Sequence, residues 1–193
     1  MGVAEDLGRT GLSIQDCFIS AGQASELREC ANLRETRGGF AAARIGAGGA
    51  LQRLENIRGD FTCWLEEPLL PPERALLERM EELRLQLNRD AFLGLFELEL
   101  HYAKYPPGAS YARHVDQPRG TATRKLSVVL YLNRDWRKQD GGELRIHHSA
   151  REFGDIEPLE GRLVCFLTAD REHEVLTAQR ERFSISGWYS GRQ

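Results

Sequence analysis

The chain has 193 residues, of which 41% are hydrophobic, and 26 Lys and Arg against 29 Asp and Glu leave a net charge of −3. That length predicts one domain with a substantial core, and the mild acidity gives no reason to expect a nucleic-acid or acidic-membrane partner. No run approaches the roughly 20 apolar residues that span a bilayer, and Met1 to Thr10 carries acidic residues and no apolar run, unlike a secretory signal. The four cysteines, Cys17, Cys30, Cys63 and Cys165, lack CxxC spacing. Cys17 and Cys30 could pair in principle, but without an export signal reduced thiols and a cytoplasmic, soluble protein are the expectation.

The elements fall into two groups. Ser13 is placed to cap a helical segment through Cys17, Phe18 and Ile19, and a second helix is expected from about Ser25 to Leu33, ended by Gly38-Gly39. Phe40 to Ile45 and Asp60 to Leu65 read as short strands, with a Gly-rich loop, Gly46 to Gly49, that lacks the lysine of a phosphate-binding loop. Pro71-Pro72 opens a strong helix in which Leu76, Leu77, Met80, Leu83, Leu85 and Leu87 recur at helical spacing as far as Asn88. From there the pattern alternates: Phe96 to Tyr102, Lys125 to Leu132, Gly142 to His147, Arg162 to Thr168, His173 to Leu176 and Arg182 to Tyr189 read as strands separated by Gly and Pro turns. The expectation is mainly β with packing helices (α+β): an antiparallel sandwich or barrel, with helices from the N-terminal third outside it.

Within that β region His114-Val115-Asp116 and, far along the chain, His173 supply two imidazoles and one carboxylate. That set can occupy one face of an octahedral ferrous ion and leave the other face open. Residues i and i+2 of a strand share a face, which predicts that His114 and Asp116 project together. The triplet alone is weak evidence, since such triplets occur by chance. His101 is expected to pack in or near the core and His147-His148 to form an exposed strand end. Arg182 lies nine residues after His173, with Arg180 as a rival; on a surface-facing reading of Arg182, Phe183 and Ile185 would be the inward pair.

From about Ile57 to Tyr189 the chain resembles the 2-oxoglutarate- and iron-dependent prolyl hydroxylases, most of all the animal hypoxia-inducible-factor prolyl hydroxylases and their bacterial relatives. The stretches that carry the resemblance are Tyr111 to Pro118 (YARHVDQP), Tyr131 to Trp136 (YLNRDW), Gly141 to Ile146 (GGELRI), Asp155 to Pro158 (DIEP), His173 to Val175 (HEV), Arg182, and Trp188-Tyr189. The resemblance implies a double-stranded β-helix (jelly-roll) in a single domain over 1–193, with 1–90 a mainly helical support region with short strands and 91–193 the catalytic core. It implies His114, Asp116 and His173 as Fe(II) ligands, and Arg182 and Tyr131 as partners of the far carboxylate of 2-oxoglutarate. Tyr105, Val129, Leu144, Val175, Ser186 and Trp188 are the other expected cofactor-pocket residues, although the loop after Tyr105 is one residue shorter than in the family. Arg58, Asp60 and Arg124 fall where the family holds a mobile loop and the substrate, with Arg124 placed to pair with Asp60; a charged turn is the plain alternative.

The implied reaction couples oxidative decarboxylation of 2-oxoglutarate to 4-hydroxylation of a prolyl residue, using Fe(II) and dioxygen, with ascorbate as a candidate reductant. Glu172 and Glu174 are assigned no general-base role; Glu174 is expected to orient His173 or to face solvent. The expected partner is a protein with an exposed proline, with elongation factor Tu the first candidate, and oxygen sensing is one reading of the dioxygen requirement. A small-molecule hydroxylase acting on free proline, a non-catalytic metal- or ligand-binding sensor, and a structural module stay open as alternatives. A nucleic-acid demethylase is disfavoured because the second arginine of that group is Trp188 here.

Overall fold

A computed structural model describes residues 2–43, 57–116, 123–149, 151–169 and 171–192. The Gly-rich run 46–49 and the end of the expected strand at 44–45 lie outside the described residues.

Three helices precede the long strands. α1 (Val3–Thr10) buries Val3 and Leu7 and ends at Gly11 in the left-handed conformation. α2 (Ala21–Thr36) starts at Ser20, whose side chain and that of Gln23 satisfy each other's backbone N–H groups, a reciprocal cap that silences two otherwise orphaned donors. α3 (Pro71–Ala91) begins on proline and buries Leu76, Met80, Leu83 and Leu87, whose spacings of four, three and four make one stripe. Leu85, counted in that stripe from the sequence, is instead 55% exposed. The Ser13 cap is also corrected. Leu12–Gln15 is a strand, β1, and Ser13 is buried with its hydroxyl donating to Asp6 at 2.9 Å. The true cap came seven residues later, and α1 was not anticipated.

The remaining strands are β2 (Ala41–Ala42), β3 (Phe61–Trp64), β4 (Leu95–Tyr105), β5 (Tyr111–His114), β6 (Arg124–Tyr131), β7 (Leu144–His147), β8 (Phe153–Ile156), β9 (Leu163–Leu167), β10 (His173–Val175) and β11 (Arg182–Gly191). They form a seven-stranded sheet, β1-β9-β6-β11-β4-β3-β2, and a four-stranded sheet, β5-β10-β7-β8. All the pairings are antiparallel. This is the expected mainly-β jelly-roll with packing helices. The N-terminal third does more than cover it, because β1 closes one edge of the large sheet and β2-β3 the other.

The central part of the large sheet is buried on both faces, and strand alternation sorts its residues between two cores. Leu100, Tyr102, Leu126, Val128, Leu130, Leu163, Cys165, Phe183, Ile185 and Tyr189 pack with the three helices. Ala103, Tyr105, Tyr131, Val164 and Phe166 face the other way, against Leu144, Ile146, Ile156 and Val175 of the small sheet. Gly187 stands where β11 crosses β4 most closely; a Cβ there would sit 1.8 Å from the Glu99 carbonyl oxygen. All four cysteines are free thiols, and none of the described helices is long and apolar enough to cross a membrane.

Candidate metal and cosubstrate site

β5 and β10 pair so that His114 lies directly opposite His173. Asp116 is not on the strand with His114, contrary to the i, i+2 argument: β5 ends at His114 and Asp116 sits in the bend that follows. The bend still brings its carboxylate to the imidazoles. Oδ1 is 3.5 Å from His114 Nε2 and 3.6 Å from His173 Nε2, and one donor atom from each residue lies within 4.8 Å of the others.

Each ring is oriented by its other nitrogen. His114 Nδ1 lies 2.8 Å from the carbonyl of Ala112, and His173 Nδ1 lies 3.1 Å from that of Arg171. A proton on Nδ1 in each ring leaves both Nε2 lone pairs aimed at the centre. Ser127 Oγ donates to the second carboxylate oxygen of Asp116 at 2.6 Å. Burial pushes the Asp116 carboxyl up, but His173 and His114 beside it outweigh burial and hold it well below the usual range. Burial likewise lowers His173, and Asp116 more than reverses this. Two imidazole nitrogens and a carboxylate converging from one side fit a ferrous ion.

A second polar site lies in the inter-sheet core. Arg182 is 1% exposed. Its Nε donates to the Gly142 carbonyl at 2.8 Å, and its guanidinium carbon is 5.0 Å from the ring centres of both Tyr105 and Tyr131. Among the described residues no carboxylate forms an ion pair with it. Among the described residues the Tyr131 hydroxyl is buried without a hydrogen-bond partner. A buried guanidinium without a counter-charge and an unpaired hydroxyl beside it are each costly, and one carboxylate would satisfy both. Gly142, at φ +68°, makes room: a Cβ there would meet the Arg182 side chain at 3.0 Å. Leu144 and Val175 are buried walls and Val129 packs against them.

Arg180, the rival, is exposed and bonds the carbonyls of Arg134 and Asp135. The surface reading of Arg182 fails because β11 is covered on both faces: Phe183 and Ile185 are inward toward the helices, and Arg182 is inward toward the small sheet. Ser186 lies on that same face, 3.1 Å from Ser184 Oγ.

At the mouth, Trp188 and Trp64 flank the buried His101, at ring separations of 5.5 and 4.9 Å. Arg124 stacks on Trp188 with its guanidinium carbon 3.5 Å from the ring centre, and donates to the Asp116 carbonyl at 3.1 Å. It does not pair with Asp60. Asp60, fully buried in its side chain, is held by Arg58 through two bonds of 2.7 and 3.0 Å. Two further expectations are corrected. Glu174 neither orients His173 nor simply faces solvent; it lies 2.9 Å from His147 Nε2. His147, the last residue of β7, is accordingly only 10% exposed in its side chain, so that of the expected exposed strand end only His148 is exposed.

Two residues of the site were not legible as such in the sequence. Ser127 was within reach, since 127, 129 and 131 share one face of β6. Tyr111, whose ring stacks on that of His114, is three residues from it, a spacing that no strand rule flags.

Residues 100–190 match the sequence profile of the 2OG-Fe(II) oxygenase superfamily. Mouse prolyl hydroxylase EGLN3 is 40% identical over 189 residues, covering 93% of this chain and 74% of that protein. The chain spans about half the length of the Egl nine homolog 1 proteins that it also matches. The crystal structure of a Pseudomonas putida prolyl-4-hydroxylase superposes with a TM-score of 0.89 at 39% identity, covering 99% of this chain and 98% of that one. A prolyl hydroxylase from Trichoplax adhaerens, in complex with a hypoxia-inducible-factor oxygen-degradation-domain peptide, gives 0.87 at 28% identity, covering 97% and 87%.

Proposed function

We propose a function from the premise that the chain belongs to the 2OG-Fe(II) oxygenase superfamily, in the family of the EGLN prolyl hydroxylases. The chain hydroxylates a prolyl residue of a protein, at the ring 4-position, at the expense of 2-oxoglutarate and dioxygen. The observation that carries the cosubstrate is the buried Arg182, without an ion-pair partner among the described residues, beside the unpaired Tyr131 hydroxyl. The prolyl substrate rests on the relatives, two of which are named as prolyl hydroxylases at about 40% identity.

His114, Asp116 and His173 would hold Fe(II), with the two Nε2 atoms and Oδ1 facing one another. Fe(II) with 2-oxoglutarate and dioxygen supplies the oxidising power to place oxygen on an unactivated C–H bond. Arg182 and Tyr131 bind the far carboxylate of 2-oxoglutarate, so that its keto-acid end reaches the metal. Leu144, Val175 and Val129 keep water from that pair, and the lower dielectric strengthens it. Ser127 fixes which carboxylate oxygen of Asp116 would face a metal, Ser186 falls where the family keeps a small hydroxyl residue near the metal, and Tyr105 packs over the guanidinium. Trp188, expected as a wall of the cofactor pocket, is instead assigned to the substrate side together with Arg124, which stacks on it, and the Arg58–Asp60 pair. No residue of the chain is assigned to remove a proton from the substrate. Ascorbate is the candidate reductant for such a metal.

The proposed partner is a protein with an exposed loop proline, elongation factor Tu first, in a cytoplasmic setting; an oxygen-sensing role would follow from a weak oxygen affinity. The test is mass spectrometry of elongation factor Tu and of a soluble extract after incubation with the protein, ferrous iron, 2-oxoglutarate and air, with His114→Ala in parallel. One added oxygen on a specific proline, absent with the variant, is the expected result. Succinate formed by the wild type without any new protein hydroxylation would move the substrate to a small molecule such as free proline.

A further inference from the structure

His114 is the less protected of the two imidazole ligands. It ends β5, an edge strand of the small sheet whose strand partner is β10. The β5–β10 register shifts between His173 and Val175. The side chain of His114 is 19% exposed against 6% for His173. The bond from Nδ1 to Ala112 fixes one point of the ring and leaves its plane to be set by something else. For His173 that something is Phe166, edge-on at 4.8 Å inside the core. For His114 it is Tyr111, whose ring lies face to face with the imidazole, 3.7 Å away and 15° from parallel.

Tyr111 in turn is backed by residues that come from before β3. The Arg58 guanidinium carbon lies 4.6 Å from the centre of the tyrosine ring, on a side chain that Asp60 grips through two hydrogen bonds. Segment 57–59 runs along the free edge of β5. Ala112 N–H donates to the Ile57 carbonyl at 2.8 Å, Gly59 N–H donates to the Ser110 carbonyl at 3.0 Å, and Arg58 bridges to Tyr111. The result is a column: Asp60 holds Arg58, Arg58 covers Tyr111, and Tyr111 sets the plane of a metal-binding imidazole.

We propose that Tyr111 is a positioning residue for the metal centre, and that the Arg58–Asp60 pair acts on the metal through Tyr111. The inference rests on His114, Asp116 and His173 being the metal ligands. Groups that orient a metal-bound histidine commonly change metal affinity by about 10- to 100-fold when removed. A column that merely packed the strand edge would change the melting temperature of the metal-free protein and leave its metal binding alone.

The test uses Co(II), which reports coordination geometry through its visible absorption and needs no exclusion of air-oxidised iron. Wild type, Tyr111→Leu, Tyr111→Phe and the double variant Arg58→Met/Asp60→Asn are titrated, and the metal-free melting temperature of each is taken. The double variant removes the ion pair without leaving a lone buried charge. Tyr111→Leu is expected to bind Co(II) roughly tenfold more weakly with an altered absorption spectrum, Tyr111→Phe to restore both, and the double variant to shift in the same direction by less. Wild-type affinity and spectrum in Tyr111→Leu would overturn the proposal. If Tyr111→Leu does not fold, the double variant decides by the same comparison. A wild-type protein that binds no Co(II) would instead overturn the metal assignment on which the proposal stands.

Discussion

The two faces of the seven-stranded sheet are both buried but treat polar groups differently. On the helix side the buried polar groups of Glu73, Tyr102 and Tyr189 are answered by partners. Glu73, wholly buried, receives two hydrogen bonds from Arg34, one from the Tyr102 hydroxyl and one from the Leu70 N–H that starts α3. The Tyr189 hydroxyl donates to the Met80 carbonyl at 2.6 Å. Among the described residues Arg182 on the small-sheet side makes no ion pair, and the two buried side-chain atoms found there without partners, Tyr131 Oη and His101 Nδ1, lie on that side as well. Polar groups in a protein interior are normally paired. A face where several are left open is organised for ligands that the chain itself does not supply, and a face where they are closed is organised for stability.

The comparison would break if changes on the pocket side cost fold, or if changes on the helix side cost chemistry. The largest effect is expected from Asp116→Ala and His173→Ala. Turnover should vanish, and the rise in melting temperature on adding Mn(II) or Co(II) should go with it, while the metal-free protein keeps its circular dichroism. Glu73→Ala should do the opposite. Losing the partner of a mostly buried arginine and the cap of α3 costs about 3 kcal/mol in denaturant unfolding, with activity per folded molecule unchanged.

Arg182→Met sharpens the contrast. It should raise the 2-oxoglutarate requirement by about 2–5 kcal/mol in binding free energy, read as KM and by anaerobic titration. The metal-free protein should become no less stable, because the arginine has no ion-pair partner to lose. Equal loss of stability and affinity would contradict the cosubstrate assignment.

The smallest effect concerns pH. Burial, with Arg58 and Arg124 adding to it and Asp60 and Asp116 opposing it, pushes His101 down to about 4 from 6.5. The unfolded chain therefore takes up this proton first as pH falls. His101 costs nothing above pH 6.5, and its penalty grows from there until the folded form protonates near pH 4. At pH 5 it amounts to about 2 kcal/mol. His101→Leu should flatten the stability profile between those limits in the metal-free protein, and an unchanged profile would assign the acid sensitivity elsewhere. Glu73 adds to it lower down: burial opposes ionisation, but Arg34 and the Leu70 N–H hold its carboxyl below 4.5. Its contribution is present above that value and is lost as pH falls through the depressed one.

The strongest signals in the chain were local and chemical. The strands of the C-terminal half announced themselves by alternation, α3 by its apolar stripe and leading prolines, and the metal ligands and Arg182 by residue type at motif spacing. These are properties of neighbouring residues, and neighbours are what a sequence displays. Short elements with mixed patterns were not legible. β1 was mistaken for part of a helix because four residues hold too little periodicity, and β8, Phe153–Ile156, passed unnoticed for the same reason.

What only the tertiary structure decided is which buried groups lack partners and which residues stand behind the ligands. The alternation of β11 allowed Arg182 to be either inside or outside. It is inside because the sheet is covered on both faces, a fact belonging to the helices and the small sheet. Ser127 reaches the bend-borne Asp116 from β6, and Arg58 reaches His114 through Tyr111 across the edge of the small sheet. Residue identity set the chemistry available to this chain; the packing of distant segments set which atoms are free to perform it, because burial and pairing are properties of the assembled interior.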